Sequence, residues 1–295
     1  MFKIRVFLSL MVSLFLFRSS LAADFPAVFP EAWKTNAMRE KVSEELAPGV
    51  NYYHYHFDNL EGQPVSVYYV IVDWKQAHAK LKLSQMEHVV RTVADQVSDQ
   101  HPIAAINGAY FKWKSEATGK LSPYYPIKVD GTLYLPDDAY DVSSAIVFNE
   151  HAFPEIVKQD AIEPYANAIM GYQVWKDGKF TLGGEHHSYV LSGKTPHTGV
   201  GINAETGLVA FMVADGRFKK EAPGINLFGV GYLLAAVGCT DVVSIDGGGS
   251  CTMLIRTGKK ELKLVNHPSD NKKFDHGGAR AVQSCIYLIE SRSDK

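Results

Sequence analysis

Short apolar runs alternate with glycine-bearing breaks along most of this chain, and few of them are long enough for a long helix. VSVYYVIVDW (65–74) is rich in β-branched and aromatic residues, and AKLKLS (79–84) alternates apolar with polar, so both predict strands. Ser84 with Glu87 fits a capping box, and Val89, Val90, Val93 and Val97 fall on one helical face that ends before Pro102. IAAI (103–106) predicts a buried strand running into Asn107-Gly108. The stretch 112–190 is rich in loops, punctuated by Asp-Gly and Gly-Gly pairs at 130, 177 and 183. A turn at 203–207 joins VGI (200–202) to LVAFMVA (208–214), which stops at Asp215-Gly216-Arg217. Between 225 and 237, Leu227, Val230, Leu234 and Val237 recur at helical spacing, and Gly238 stands where a helix-ending glycine belongs. DVVSI (241–245) is the next strand, and RAVQSCIYLIE (280–290) is apolar on both faces, as a central strand would be. A further helix is expected near residues 38–46. The pattern predicts one α+β domain over residues 49–295, with a mixed, twisted β-sheet core flanked by helices, behind an N-terminal extension at 23–48.

Composition narrows the partners. The 295 residues are 46% hydrophobic and 21% charged with a formal net charge of −2, which permits a substantial core. No basic stretch interleaved with aromatics suggests nucleic acid. At the N-terminus Lys3 and Arg5 precede the apolar run 6–17, and Ser20-Leu21-Ala22 supplies small residues for cleavage. Residues 1–22 therefore predict a secretory signal and an exported mature chain, periplasmic or secreted, without a membrane span. Cys239, Cys251 and Cys285 form no CxxC pair, and they are expected as small buried thiols.

Three apolar strands end in polar residues beside glycine: IAAI at Asn107-Gly108, FMVA at Asp215-Gly216-Arg217, and VVSI at Asp246-Gly247-Gly248-Gly249. Sites gather at strand ends, where side chains and backbone meet solvent on a rigid frame. Successive glycine N–H groups can cradle an anion, and Ser250 and Thr252 add hydroxyl donors, so the pattern predicts a carboxylate beside an oxyanion or phosphate cradle. No Lys follows the glycines as in a phosphate-binding P-loop, and the alternation is not that of a dinucleotide fingerprint. His54 and His56 share a strand face where a metal could bind, although surface or core histidines are the commoner case. His186-His187 reads as a loop pair, and Lys112 and Lys114 as a solvated face. No nucleophile elbow is present.

APGVNYY (48–53), AAINGAYF (104–111), Asp130-Gly131, KDGK (176–179), TGVGI (198–202), VADGR (213–217), SIDGGGSCTM (244–253), Asn266 and Arg280 follow in an order that resembles the phosphodiester glycosidases. The departures are Ala109 for a glycine, Ala281 for a proline, and His197 for an arginine, which exchanges a permanent cation for one present only at lower pH. The resemblance implies hydrolysis of a sugar-1-phosphodiester to free sugar and a phosphomonoester, with Asp215 and Asp246 as the carboxylate pair. In that reading Asp246 is base or nucleophile at the anomeric carbon, and Asp215 orients water or hydroxyls. Asn107, Gly108, Thr198 and Thr252 bind substrate oxygens; Arg280 and the nest Gly247, Gly248, Gly249 and Ser250 neutralise phosphate, with Arg217 as the alternative cation. No cofactor is required, and a divalent metal stays open. A non-catalytic binder of phosphorylated glycans and a metal-dependent phosphodiesterase are the competing readings.

Overall fold

The computed structural model describes residues 35–85, 89–112, 121–136, 144–181, 193–258 and 260–291. Strands dominate them. A twelve-stranded sheet has the path Thr35–Ala47, Val50–Asn59, Pro64–Asp73, Leu208–Ala214, His197–Asn203, Asp241–Ile245, Asn167–Lys176, Ser144–Phe148 and Glu155–Lys158, with short strands attached to its far half. A five-stranded sheet runs Glu261–Leu264, Met253–Thr257, Ala104–Asn107, Cys285–Glu290 and Ala79–Leu83.

The two sheets pack face to face. Alternation does the sorting: Tyr68, Val70 and Val72 point into the space between the sheets, where they meet Leu81, Ile106 and Leu288, while Val67, Tyr69 and Ile71 point the other way. The outward set is covered by the helix Leu227–Ala236, through Leu227, Val230 and Leu234. The outer face of the small sheet is covered by the five-residue helix Val93–Val97, through Val93 and Val97. The order of layers is helix, large sheet, small sheet, helix.

Three expectations change. The sheets are not mixed: every strand pairing among the described residues is antiparallel. Parallel neighbours need long crossovers, usually helical, and only Leu227–Ala236 approaches that length among the described residues. The expected helix at 38–46 is part of the edge strand Thr35–Ala47, paired along its length with Val50–Asn59 across a turn at Gly49, whose φ is +73°. Ladder pairing there overrides a locally helical composition. The residues at 84–97 form a shorter helix than the valine spacing suggests. Thr92 caps it by accepting from the Asp95 N–H at 3.2 Å, Val89 is 54% exposed, and Glu87 lies outside the described residues. The expected signal at 1–22 and His186-His187 also lie outside them. No helix among the described residues is long and apolar enough to cross a membrane. All three cysteines are buried and free.

Phe211 lies wholly buried between the sheets. Phe211→Ala is expected to cost about 3–5 kcal/mol of unfolding free energy, whereas Val42→Thr on the half-exposed edge strand should stay within about 0.5 kcal/mol. Urea unfolding of both variants checks this.

Candidate active site

The three polar strand ends meet where the sheets meet. Asn107 ends a strand of the small sheet and is completely buried. Its Nδ2 donates to the Asp246 carbonyl at 2.7 Å, and its Oδ1 accepts from Thr198 Oγ1 at 2.7 Å and from the Thr252 N–H at 3.2 Å. Thr198 and Thr252 are buried as well, and Thr252 Oγ1 donates to the Ser250 carbonyl at 3.1 Å. These groups, expected on the substrate, lie beneath the site and hold its frame. Gly108 belongs to the same frame, its N–H donating to the Ser284 carbonyl at 2.9 Å.

The three glycines after Asp246 have different reasons. A Cβ on Gly247 would come within 3.0 Å of the Pro196 carbonyl oxygen. Gly248 adopts φ +62°, and a Cβ there would stand 2.9 Å from Arg217 Nη2. At Gly249 a Cβ would collide with Asp270 Oδ1 and Arg280 Nη2. The expected nest of N–H groups is largely closed, with the Gly249 N–H the exception among the described residues. The Gly247 N–H donates to Asp246 Oδ1, Gly248 to the Pro196 carbonyl, Ser250 to Gly247, Cys251 to Gly248 and Thr252 to Asn107. The glycines instead let two guanidinium groups lie directly on the turn Gly248–Ser250.

The two arginines differ. Arg280 is held by both oxygens of Asp270, Nε to Oδ2 at 2.7 Å and Nη2 to Oδ1 at 2.8 Å, so its charge is largely answered. Arg217 is exposed and donates from Nη1 to Ser269 Oγ at 3.3 Å, with no carboxylate partner among the described residues. Its backbone φ is +70°, an uncommon conformation for a side chain of this size. The strained backbone closes a small loop in which the Arg217 N–H donates to the Pro223 carbonyl. Arg217 is therefore the cation free to meet an anion.

Asp246 is partly exposed as a residue, with its carboxyl shielded from water. Burial pushes its pKa up to about 6; the Ser250 hydroxyl, the Gly247 N–H and the charge of Arg280 pull the other way. Ser250 Oγ is buried and lies outside full hydrogen-bond geometry to any partner. Tyr110, whose phenol is also pushed up by burial, senses the same carboxylate and packs edge-on against Tyr125 at 5.5 Å and Tyr172 at 6.0 Å. His197, where an arginine was expected, has its pKa lowered to about 4 by burial and interacts with Thr195 Oγ1 at 3.1 Å, so it supplies no charge at neutral pH.

Asp215 is 2% exposed. Its Oδ2 accepts from Ser66 Oγ at 3.1 Å, Tyr68 OH at 3.0 Å and His267 Nδ1 at 2.9 Å; its Oδ1 accepts from the His267 N–H at 2.9 Å and Asn266 Nδ2 at 3.5 Å. The segment Asn266 to Asp270 thus touches Asp215 and both arginines. Asn266 also donates to the Cys251 carbonyl, His267 contacts Asp215, Ser269 contacts Arg217 and Asp270 holds Arg280. Of this segment the sequence reading named only Asn266. The available signal was a polar Asn-His-Pro-Ser-Asp run just past an apolar strand.

His54 and His56 do not converge with other ligands: His54 stacks on Tyr68 at 4.2 Å and reaches Ser66 Oγ at 3.2 Å, and His56 meets the Glu221 carbonyl. Among the described residues no group of three or more His, Cys, Asp and Glu side chains could hold a metal ion. Lys112 lies over the Tyr124 ring, and Lys114 is outside the described residues.

A family model described as phosphodiester glycosidase matches residues 100–289. No curated protein matches the chain significantly. Among solved structures, the catalytic domain of zebrafish N-acetylglucosamine-1-phosphodiester alpha-N-acetylglucosaminidase, described as auto-inhibited by its pro-peptide, is similar at TM-score 0.60 and 18% identity, over 88% of each chain. A protein of Burkholderia pseudomallei aligns at TM-score 0.63 and 13% identity over 90% of this chain and 99% of its own. A hypothetical protein from Synechocystis aligns at TM-score 0.56 and 11% identity over 81% of this chain and 62% of its own. At these identities the likeness is one of fold.

Two outcomes follow from the geometry. Asn107→Ala strands a buried carbonyl, hydroxyl and N–H, and it is expected to cost on the order of 3 kcal/mol in urea unfolding. For Asp246 the folded-state pKa of about 6 lies above the ordinary value of 3.8, so the folded protein binds the proton more tightly than the unfolded chain. Its contribution favours folding below the unfolded pKa and is lost as pH rises through about 6. Asp246→Asn should therefore gain stability relative to the parent between pH 4 and 7; an unchanged difference across that range would contradict the assignment.

Proposed function

The chain belongs to the phosphodiester glycosidase family, and from that premise we propose that it hydrolyses the glycosidic bond of a sugar-1-phosphodiester, releasing free sugar and a phosphomonoester. The observation that carries the reading is the pairing of a shielded carboxyl, Asp246, with an uncommitted cation, Arg217, across a turn of bare glycine backbone. A phosphate leaving group is stable as an anion, so it needs little protonation and much electrostatic support. Arg217 gives that support at the turn. Arg280, held by Asp270, adds a fixed field at Gly249 rather than a mobile clamp. Asp246 faces the anomeric carbon, where positive charge develops in an oxocarbenium-like transition state, and acts there as a carboxylate. The aromatic group of Tyr110, Tyr125 and Tyr172 beside it offers apolar edges for a sugar ring.

The same support would serve a non-catalytic binder of phosphorylated glycans, and turnover separates the two. The apolar run and small residues at 1–22 support export of the mature chain, which begins near Asp24, and the catalytic unit is assigned to residues 49–295. The zebrafish neighbour's name specifies an N-acetylglucosamine-1-phosphodiester; only the linkage class is carried over to this chain.

The purified mature protein should release free sugar from sugar-1-phosphodiesters, with activity indifferent to EDTA. Asp246→Asn should lower kcat by about 10²-fold or more, and Arg217→Ala should raise KM for the phosphodiester. Hydrolysis of bis-p-nitrophenyl phosphate that stops with EDTA would replace this reading with a metal-dependent phosphodiesterase. Binding of phosphorylated glycan without turnover would replace it with a binder.

A further inference from the structure

The small sheet has a second polar place on its outer face, away from the large sheet that carries Asp246. There the strand Cys285–Glu290 meets the helix Val93–Val97, with Cys285 and Tyr287 packed against Val93 and Val97. Beside this contact lies a cavity of about 160 Å³, well above the roughly 10–15 Å³ that admits a single water.

Four carboxamides, two hydroxyls, one guanidinium and Val89 line it, with no carboxylate among the described residues. Part of this lining is already engaged and forms the walls. Gln96 accepts from Ser84 Oγ at 2.6 Å and donates to the carbonyls of Arg91 at 3.0 Å and Val282 at 2.8 Å. Two other side chains are not engaged. Gln283 is 4% exposed, and its Oε1 is buried without a hydrogen-bond partner. Tyr287 is 7% exposed, and its hydroxyl has no hydrogen-bond partner among the described residues. A polar atom buried alone is costly, and native proteins answer such atoms with water or a ligand. Two unanswered side chains at one cavity point to an occupant.

The chemistry of that occupant follows from the lining. A carboxamide oxygen only accepts, so the occupant brings a donor to Gln283 Oε1. An anion would meet Arg91, but its oxygens would stand against Gln283 Oε1 with no proton between them. A cation would face Arg91 with no carboxylate to balance it among the described lining. A neutral hydroxyl both donates and accepts, which suits Gln283 and Tyr287 alike. A sugar ring carries several such groups at fixed angles, and so loses little freedom on binding.

We propose that this cavity is a second saccharide site, for an uncharged sugar unit, separate from the site at Asp246 and independent of hydrolysis there. It lies one residue from the frame of that site. The Ser284 carbonyl accepts from the Gly108 N–H at 2.9 Å, and Ser284 Oγ accepts from the Ala109 N–H at 3.0 Å. Ser284 thus serves the corner that follows Asn107, while its neighbour Gln283 serves the outer cavity. A glycan held at Gln283 stays close to the catalytic frame without touching the bond that breaks.

The test uses the isotope-labelled mature protein and its side-chain amide resonances, with that of Gln283 assigned sequentially. Unphosphorylated D-glucose, D-galactose, D-mannose and N-acetyl-D-glucosamine are each titrated to high millimolar concentration. At least one should shift the Gln283 resonance along a saturable curve, in the parent and in Asp246→Asn alike. Gln283→Leu and Tyr287→Phe should each weaken that binding by about tenfold, read by calorimetry, and Gln283→Leu should turn over a sugar-1-phosphodiester at the parental rate. Leucine nearly matches glutamine in size and leaves no polar atom unpaired; thermal melting checks the fold, and Tyr287→Phe alone decides if Gln283→Leu does not fold. No response to any of the four sugars overturns the proposal, whether the cavity holds only water or responds to inorganic phosphate instead. Binding of parental strength in either folded variant overturns it too. A parent that binds sugar here but turns over no sugar-1-phosphodiester overturns the glycosidase reading and leaves this site standing.

Discussion

The site depends on one side-chain amide. Asn107 belongs to the small sheet, while Asp246 and Thr198 belong to the ends of strands in the large one. Apolar packing holds two sheets about 10 Å apart but says little about how their ends line up. The Asn107 amide supplies that alignment by donating across the gap to the Asp246 carbonyl and accepting from Thr198. Because it is wholly buried, each broken bond would leave a polar group without water as a substitute. The carbonyl that Asn107 holds belongs to Asp246 itself. The position of the carboxyl is thus tied to the register between the sheets rather than to a flexible loop.

The rest of the site follows the same plan: polar side chains that look available turn out to be occupied, and their occupation fixes the few that are not. Thr198, Thr252 and Asp215 have their hydrogen bonds inside the protein, and Arg280 has its carboxylate. Among these groups, the edge of Asp246 and the guanidinium of Arg217 remain open to a ligand. Preorganisation of this kind means that little has to reorder when charge develops on a substrate. The left-handed backbone at Arg217 is the local strain that goes with it, since it turns a long side chain back across Gly248.

Much of this was legible in the sequence, and the limits have physical causes. The strand Leu208–Ala214, the helix Leu227–Ala236 and the strand Asp241–Ile245 follow from periodicity, because each buries a full face. Asp215, Asp246 and Arg217 stand out as polar residues where apolar strands stop beside glycine. The edge strand Thr35–Ala47 was not legible, because one neighbour and an exposed outer side leave it little hydrophobic pattern. The antiparallel order was hidden because hairpin and crossover look alike when loops are long. The environment of Asp215 was hidden for a different reason. Ser66 and Tyr68 lie 149 and 147 residues away on a strand that reads as ordinary β-sheet, and His267 is 52 residues away in a proline-bounded run with no motif of its own. Local spacing carries no trace of contacts at that separation.

Under the proposed reading, charge placement explains why a triple glycine would suit a phosphate-bearing substrate better than an open nest. Had the N–H groups been free, the anion would sit directly over the turn that follows Asp246 and raise the proton affinity of a carboxyl already pushed up to about 6. With the N–H groups of Gly247, Gly248 and Ser250 engaged inside the chain, the cations lie on the turn through side chains, Arg217 at Gly248 and Arg280 at Gly249. The charge of Arg280 opposes that rise. Any β-carbon at Gly248 or Gly249 would move the guanidinium groups away from the turn. The bare backbone after Asp246 is best understood as room for two arginines beside a carboxyl that burial pushes toward protonation.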